Sequence, residues 1–217
     1  MELKDLTDLI KTRRSIRHWQ NKEVSPDILK QAIETAIWAP NAGNMQNWHF
    51  YVVTNRETIN AMGDAFEANA DIVASWIEAE NLGEAAIKWR KSASVLRTAP
   101  AIIAAAAEKY ERPPDKVIIT KAQTDPKAKQ IHEWRSISSS RLQTVAAATS
   151  YLILVLHQMG LGTLWMTGPM QAKGEIEKIL NVPSEEDIFT LISVGYPDES
   201  PVPKERRPID EVCTIIK

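Results

Sequence analysis

A single soluble domain built from both helices and short strands is what the sequence predicts. Three observations carry that reading. Apolar residues recur at helical spacing in several stretches. Short strand-like apolar runs sit between turn signals. No repeat and no linker divides the 217 residues.

Leu3, Leu6, Leu9 and Ile10 give a first helix to about Thr12. Ser25-Pro26-Asp27 starts a second, with Ser as cap and Pro at the first helical position. Its buried stripe is Ile28, Leu29, Ala32, Ile33, Ala36 and Ile37, and Pro40 ends it. Asn41 to Asn44 reads as a loop, and Phe50 to Val53 as a strand. From Arg56 to about Arg97 the pattern is helical but polar, with Ile72, Val73, Trp76 and Ile77 as its apolar face. Pro100 to Ala107 is alanine-rich and fits strand or helix, with Ile102-Ile103 and Pro100 favouring strand.

Residues from about 108 to 140 carry three prolines and many charges and read as the least regular part, a lid, binding loop or dimer arm. Leu142 to Met159 is apolar nearly all round, which predicts a central buried helix. Gly162 to Thr167 is strand-like, Ile176 to Leu180 a short helix, Phe189 to Val194 a strand, and Pro201-Val202-Pro203 an extended tail.

The net charge is −2, so nucleic acid or an anionic membrane would need a local basic patch. The one cysteine, Cys213, excludes an intrachain disulfide. Met1-Glu2-Leu3-Lys4-Asp5 lacks the apolar core of a signal peptide, and no apolar run is long enough to span a bilayer. A cytoplasmic location is the expectation, with no nucleic-acid or membrane partner.

Two basic clusters stand out against the acidic balance. One is Lys11, Arg13, Arg14 and Arg17 around Ser15; the other is Lys204, Arg206 and Arg207. Guanidinium forks suit a phosphate dianion, although a cluster read singly is more often a solvated charge run. The loop from Ala39 to Trp48 holds three Asn and one Gln. Such amides serve the edge of a heterocycle, or simply the αL geometry of a helix-to-strand turn. Trp19, Trp38, Trp48 and Trp165 lie near these motifs and suit either a wall for a flat ligand or ordinary packing. The four histidines have no ligand spacing, Gly160-Leu161-Gly162 lacks the third glycine of a dinucleotide fingerprint, and no phosphate loop or serine elbow occurs.

Taken together the motifs resemble a known family. Arg13-Arg14-Ser15-Ile16-Arg17 resembles the opening motif of the nitroreductases. Ala39 to Trp48 resembles the second, and Gly160-Leu161-Gly162-Thr163-Leu164-Trp165 the third. Gly195-Tyr196-Pro197 with Lys204-Glu205-Arg206-Arg207-Pro208 resembles the fourth. The resemblance implies an α+β fold over residues 1–217, a central mostly antiparallel sheet wrapped by helices, in an intertwined homodimer with two sites. It implies FMN as cofactor and NAD(P)H as electron donor. Arg13, Ser15 and Arg17 would hold the phosphate and ribityl chain with Arg14 adjacent, and Lys204 and Arg206 would close on the same region. Asn41, Ala42 and Asn44 would come from the other subunit. Trp165, Met166, Thr167 and Gly168 would pass over the isoalloxazine, with Thr167 at flavin N5, and the helix from Leu142 would form the dimer core.

Some positions depart from the pattern. Asn47 stands where members often have Pro, and Ser140-Arg141-Leu142-Gln143 where many have an acidic residue. Thr167-Gly168-Pro169 and Gly195-Tyr196-Pro197 lean toward the branch holding iodotyrosine deiodinase and the flavin destructase. Ser15 replaces the destructase Asp, and the acid, Tyr and Lys of the deiodinase lid have no counterpart placed in 108–140. The implied activity is electron transfer from NAD(P)H to a small organic oxidant such as a nitroaromatic or quinone. The alternatives are reductive dehalogenase-like one-electron flavin chemistry, or a flavin-binding protein without turnover. No metal is implied.

Overall fold

Four strands make one sheet: β1 (Trp48–Val53), β2 (Ala101–Glu108), β3 (Gly162–Met166) and β4 (Glu186–Gly195). In this computed structural model, which describes residues 2–110 and 112–217, they lie in the order β1-β2-β4-β3, each neighbouring pair antiparallel. The ambiguous alanine run is β2. Every residue from Ala101 to Ala107 is buried, so no polar alternation is left to read. Ala101, Ile103, Ala105 and Ala107 enter one core, and Ile102, Ala104 and Ala106 the other. That is the period-two alternation of a strand covered on both faces.

One face is covered by α2 (Pro26–Ala36) and α8 (Ser140–Gln158), with α1 (Leu3–Thr12) against α8. Ser25 Oγ accepts the Asp27 N–H at 3.3 Å, and Leu29, Ala32 and Ala36 are buried. Ile37, expected in that stripe, is 38% exposed because the helix has already ended. The other face is covered by α3 (Arg56–Ala79), α4 (Gly83–Ala93), α5 (Val95–Thr98) and α9 (Lys173–Ile179). The helical stretch 56–97 is thus three helices, not one. Its buried stripe is Ile59, Met62, Phe66, Ala70 and Ala74, while Ile72 and Trp76 face outward.

The 108–140 segment is more regular than expected: α6 (Pro113–Lys121) and α7 (Pro126–Ile137). Its prolines sit in first helical turns, where the missing N–H has no helical partner to lose. Asp125 caps α7 through the Lys127 and Ala128 N–H groups at 2.7 and 3.1 Å. Neither helix has a buried residue; Glu111 lies outside the described residues, as does Met1. The predicted all-round burial of α8 does not hold within one chain. Val145, Ala148, Leu152 and Leu156 are buried, but Leu142 and Tyr151 are 48% and 43% exposed. The tail runs along the surface to a single turn, α10 (Ile209–Val212). No helix among the described residues is long and apolar enough to cross a membrane.

Candidate functional site

The first basic motif is held flat against the sheet edge. Ser15 bridges Thr163 in parallel fashion, and the Ile16 N–H donates to the Thr163 carbonyl at 2.9 Å. Four residues on, Trp19 bridges Pro197, and the Gln20 N–H donates to the Tyr196 carbonyl at 2.9 Å. This approach explains glycines in two motifs. A Cβ on Gly162 would stand 2.7 Å from Ile16 Cγ1, and one on Gly195 2.5 Å from Trp19 Cδ1. Only a residue without a side chain admits the segment. Glu199 completes the clamp by accepting the backbone N–H groups of Arg17 and His18, the latter at 3.1 Å. Burial pushes its carboxyl up, but these two donors and the adjacent positive charge outweigh burial and hold it below the usual carboxylate range.

The predicted phosphate residues gather beside this clamp. Burial and the nearby charges of Arg14 and Arg206 lower the proton affinity of Arg13. Lys204 is exposed, and its carbonyl accepts from Arg206 Nη1 at 3.3 Å. Arg14 Nη1 donates to the Lys11 and Arg13 carbonyls, both at 2.6 Å, while its Nε is buried with no partner. None of Arg13, Arg14, Arg17, Lys204 and Arg206 forms a salt bridge among the described residues. A cavity of about 450 Å³ opens between Arg13, Arg14 and His157. His157 lies 3.0 Å from Thr12 Oγ1, and burial together with Arg13 and Arg14 lowers its pKa, favouring the neutral ring.

The third motif ends at a second cavity, of about 600 Å³, next to Arg17. Trp165 and Thr167 are exposed at the end of β3, whereas the Met166 side chain turns into the core. The Met166 carbonyl accepts from Thr190 Oγ1 at 2.7 Å, which fixes where the strand stops. A 3-10 turn, Gly168–Ala172, follows, tied by the Met170 N–H to the Thr167 carbonyl at 3.0 Å. Of the four tryptophans named above, Trp165 alone lines this cavity.

Asn41, Ala42 and Asn44 are elsewhere. The Ala42 N–H donates to Thr144 Oγ1 at 3.4 Å, at the N-terminal end of α8. Asn41 Oδ1 accepts the Gln46 N–H at 3.0 Å, and Gly43, Asn44 and Gln46 have φ of 63°, 53° and 48°. The amides therefore do serve a left-handed turn. Thr144 and His157 are about 20 Å apart along α8 at 1.5 Å per residue. One chain brings Arg13, Arg14, Ser15, Arg17, Arg206 and the 165–168 turn to one side and leaves 41–44 at the other end of the helix. Asn47, the departure from the family pattern, is buried and donates to the Glu108 carbonyl at 3.3 Å.

Sequence reasoning did not single out Glu199 or His157 in the first cavity, nor Lys88 and Lys91 in the second. The one available signal was the i, i+3 spacing of the two lysines.

Residues 10–196 match the family described as "Nitroreductase family", so the chain belongs to it. It is 28% identical to an NADH dehydrogenase of Thermus thermophilus, over 92% of this chain and 90% of that protein. It is also 28% identical to an iodotyrosine deiodinase of Thermotoga neapolitana, over 97% and 96%. Its fold matches a BluB-like flavoprotein of Clostridium difficile 630 with a TM-score of 0.84, 25% identity and full coverage of both chains. It also matches an iodotyrosine deiodinase bound to FMN and 3-iodo-L-tyrosine, at 0.69 and 23%, over 98% and 97%.

Proposed function

We propose that the chain is an FMN-dependent oxidoreductase working as a homodimer, with NAD(P)H as donor and a small organic oxidant, such as a nitroaromatic or quinone, as acceptor. One observation carries this reading. Arg13 and Arg14 line one cavity, neither forms a salt bridge among the described residues, and Arg14 keeps a buried, unbonded Nε; the charge of Arg206 also acts on Arg13. Such a concentration of positive charge calls for an anion, and a phosphate dianion offers enough acceptors. The family membership and the FMN in a related structure support naming that anion as the FMN phosphate.

FMN, once bound, supplies the hydride-accepting and electron-donating chemistry. The chain's residues do the rest. Arg13, Arg14, Arg206, Lys204 and Ser15 bind the phosphate end, and His157 adds a ring nitrogen to the same cavity. Arg17 would provide a fixed positive charge beside the ring at the second cavity. Trp165 to Gly168 form the surface on which a flat ring rests. Asn41, Ala42 and Asn44 complete the site from the partner subunit. So does the α6–α7 hairpin, since Arg112 Nη2 lies 2.9 Å from where a Gly43 Cβ would be.

The test is to purify the chain, measure bound flavin, and follow NADH and NADPH oxidation with menadione and nitrofurazone. About one FMN per subunit and acceptor-dependent oxidation are expected. FMN without turnover would instead support a flavin-binding protein.

A second reading is reductive dehalogenation. It is favoured by the Thr167 hydroxyl, which is exposed at the end of β3 and has no hydrogen-bond partner among the described residues, and is therefore free to meet flavin N5. Halide release from a haloaromatic that is lost in Thr167→Ala, with FMN still bound, would establish it. Unchanged release would remove the hydroxyl from the chemistry.

A further inference from the structure

The cavity at the end of β3 is walled on its far side by α4. Lys88, Lys91 and Ser92 line it and, three and four residues apart, share one face of that helix. The third cation of α4, Arg90, points elsewhere and is neutralised by Asp71 at 3.0 Å and Glu78 at 2.6 Å. Lys88 and Lys91 form no salt bridge among the described residues. Arg17 adds a third positive charge to the lining, and no Asp or Glu among the described residues contributes to it. Glu199, bound to the Arg17 and His18 N–H groups, lines the other cavity. The rest of this lining includes the rings of Phe66 and Trp165. In a chain whose net charge is −2, a cavity lined by cations and aromatic rings is a selective environment.

We propose that this cavity binds the oxidant and that the oxidant is a flat organic anion, an aromatic ring bearing a carboxylate or a comparable acid group. With the flavin ring resting on the Trp165–Gly168 turn, the oxidant's ring lies over it on the α4 side of the cavity, and its acid group is held by Lys88 and Lys91. A free amino acid fits poorly, because its ammonium group would find three cations and no carboxylate. The inference rests on reading the 165–168 turn as the face of a flavin site, and it gives that site a substrate class.

The test is calorimetric titration of the oxidised, FMN-loaded protein with 4-nitrobenzoate and with the neutral 4-nitrobenzamide, without reductant, so that only binding is read. The acid should bind about tenfold tighter than the amide, and its affinity should fall with added salt. Lys88→Gln with Lys91→Gln should abolish the preference and leave FMN and the melting temperature in place, since both side chains are exposed. Equal affinities for acid and amide would overturn the proposal, as would a preference that survives in the double variant. Loss of FMN from the variant would overturn it by assigning the lysines to the cofactor. A loss of affinity confined to NADPH relative to NADH would overturn it by assigning them to the nucleotide's extra phosphate. A chain that purifies without flavin refutes the flavin reading instead, and the same titration still decides whether the cavity selects anions.

Discussion

The Glu199 carboxylate accepts the His18 backbone N–H at 3.1 Å, joining residues 181 positions apart. With its second bond, to the Arg17 N–H, it holds the segment that carries the phosphate cluster. Glu199→Ala should cost about 1–2 kcal/mol, given the worth of bonds to a charged acceptor reduced by partial exposure. The pH dependence has a definite sign. The folded carboxyl lies below its ordinary value of 4.5, so its contribution is complete above that value and is lost as pH falls through the lower folded one. The melting-temperature gap between wild type and Glu199→Gln should therefore be present near neutrality and shrink in acid. A gap independent of pH would refute the role.

Arg13→Ala together with Arg206→Ala should strip flavin without unfolding the chain. Each charge-assisted bond is worth about 1.5–3 kcal/mol, so FMN affinity should fall at least about a hundredfold. Fluorescence titration of the apoprotein measures this directly. Undiminished affinity would remove these arginines from the phosphate site.

Gly162→Ala puts a methyl group 2.7 Å from Ile16 Cγ1 and 2.9 Å from its Cβ. Ile16 is buried and its N–H is bonded to Thr163, so it cannot retreat freely. Overpacking of this kind costs about 1–3 kcal/mol, and flavin should be lost with it. Gly174→Ala, with nothing within 4 Å of its new Cβ, should leave thermal stability unchanged or slightly raised.

These variants show what the sequence made legible and what it hid. The Ser25 cap, three of the four strands and the ordered motifs could be read because they depend on neighbours in the chain, as Ser25 depends on Asp27. The apolar face of α3 is hard to read because Ile72 and Trp76 carry much larger apolar side chains than Ala70 and Ala74, yet the small residues face the core. The α6–α7 hairpin was hidden because its prolines look like breakers until their first-turn positions are known. Glu199 could not be found from sequence, since its role comes from tertiary closeness to Arg17. Lys88 and Lys91 resemble any solvated pair until Arg90 is seen to be the partnered cation.

The exposed side of α8, with Leu142 and Tyr151, should be covered by a second copy of the chain. Light scattering should show a dimer wherever flavin is bound, with an interface on the order of 2,000–5,000 Å², as obligate dimers have. A stable flavin-loaded monomer would refute this.

The separation of Arg13 and Ala42 by the length of α8 has a genetic consequence. If each site draws its arginines from one chain and its 41–44 loop from the other, two different inactive variants can rescue one another. A chain lacking Arg13 and Arg206, mixed with a chain carrying a disabled 41–44 loop, forms hybrid dimers in which both lesions fall on the same site. The other site is then wild type throughout. Co-expression should recover flavin on up to half the sites of each hybrid, whereas either variant alone should recover none. Complementation between alleles would thus be written into the distance from Thr144 to His157.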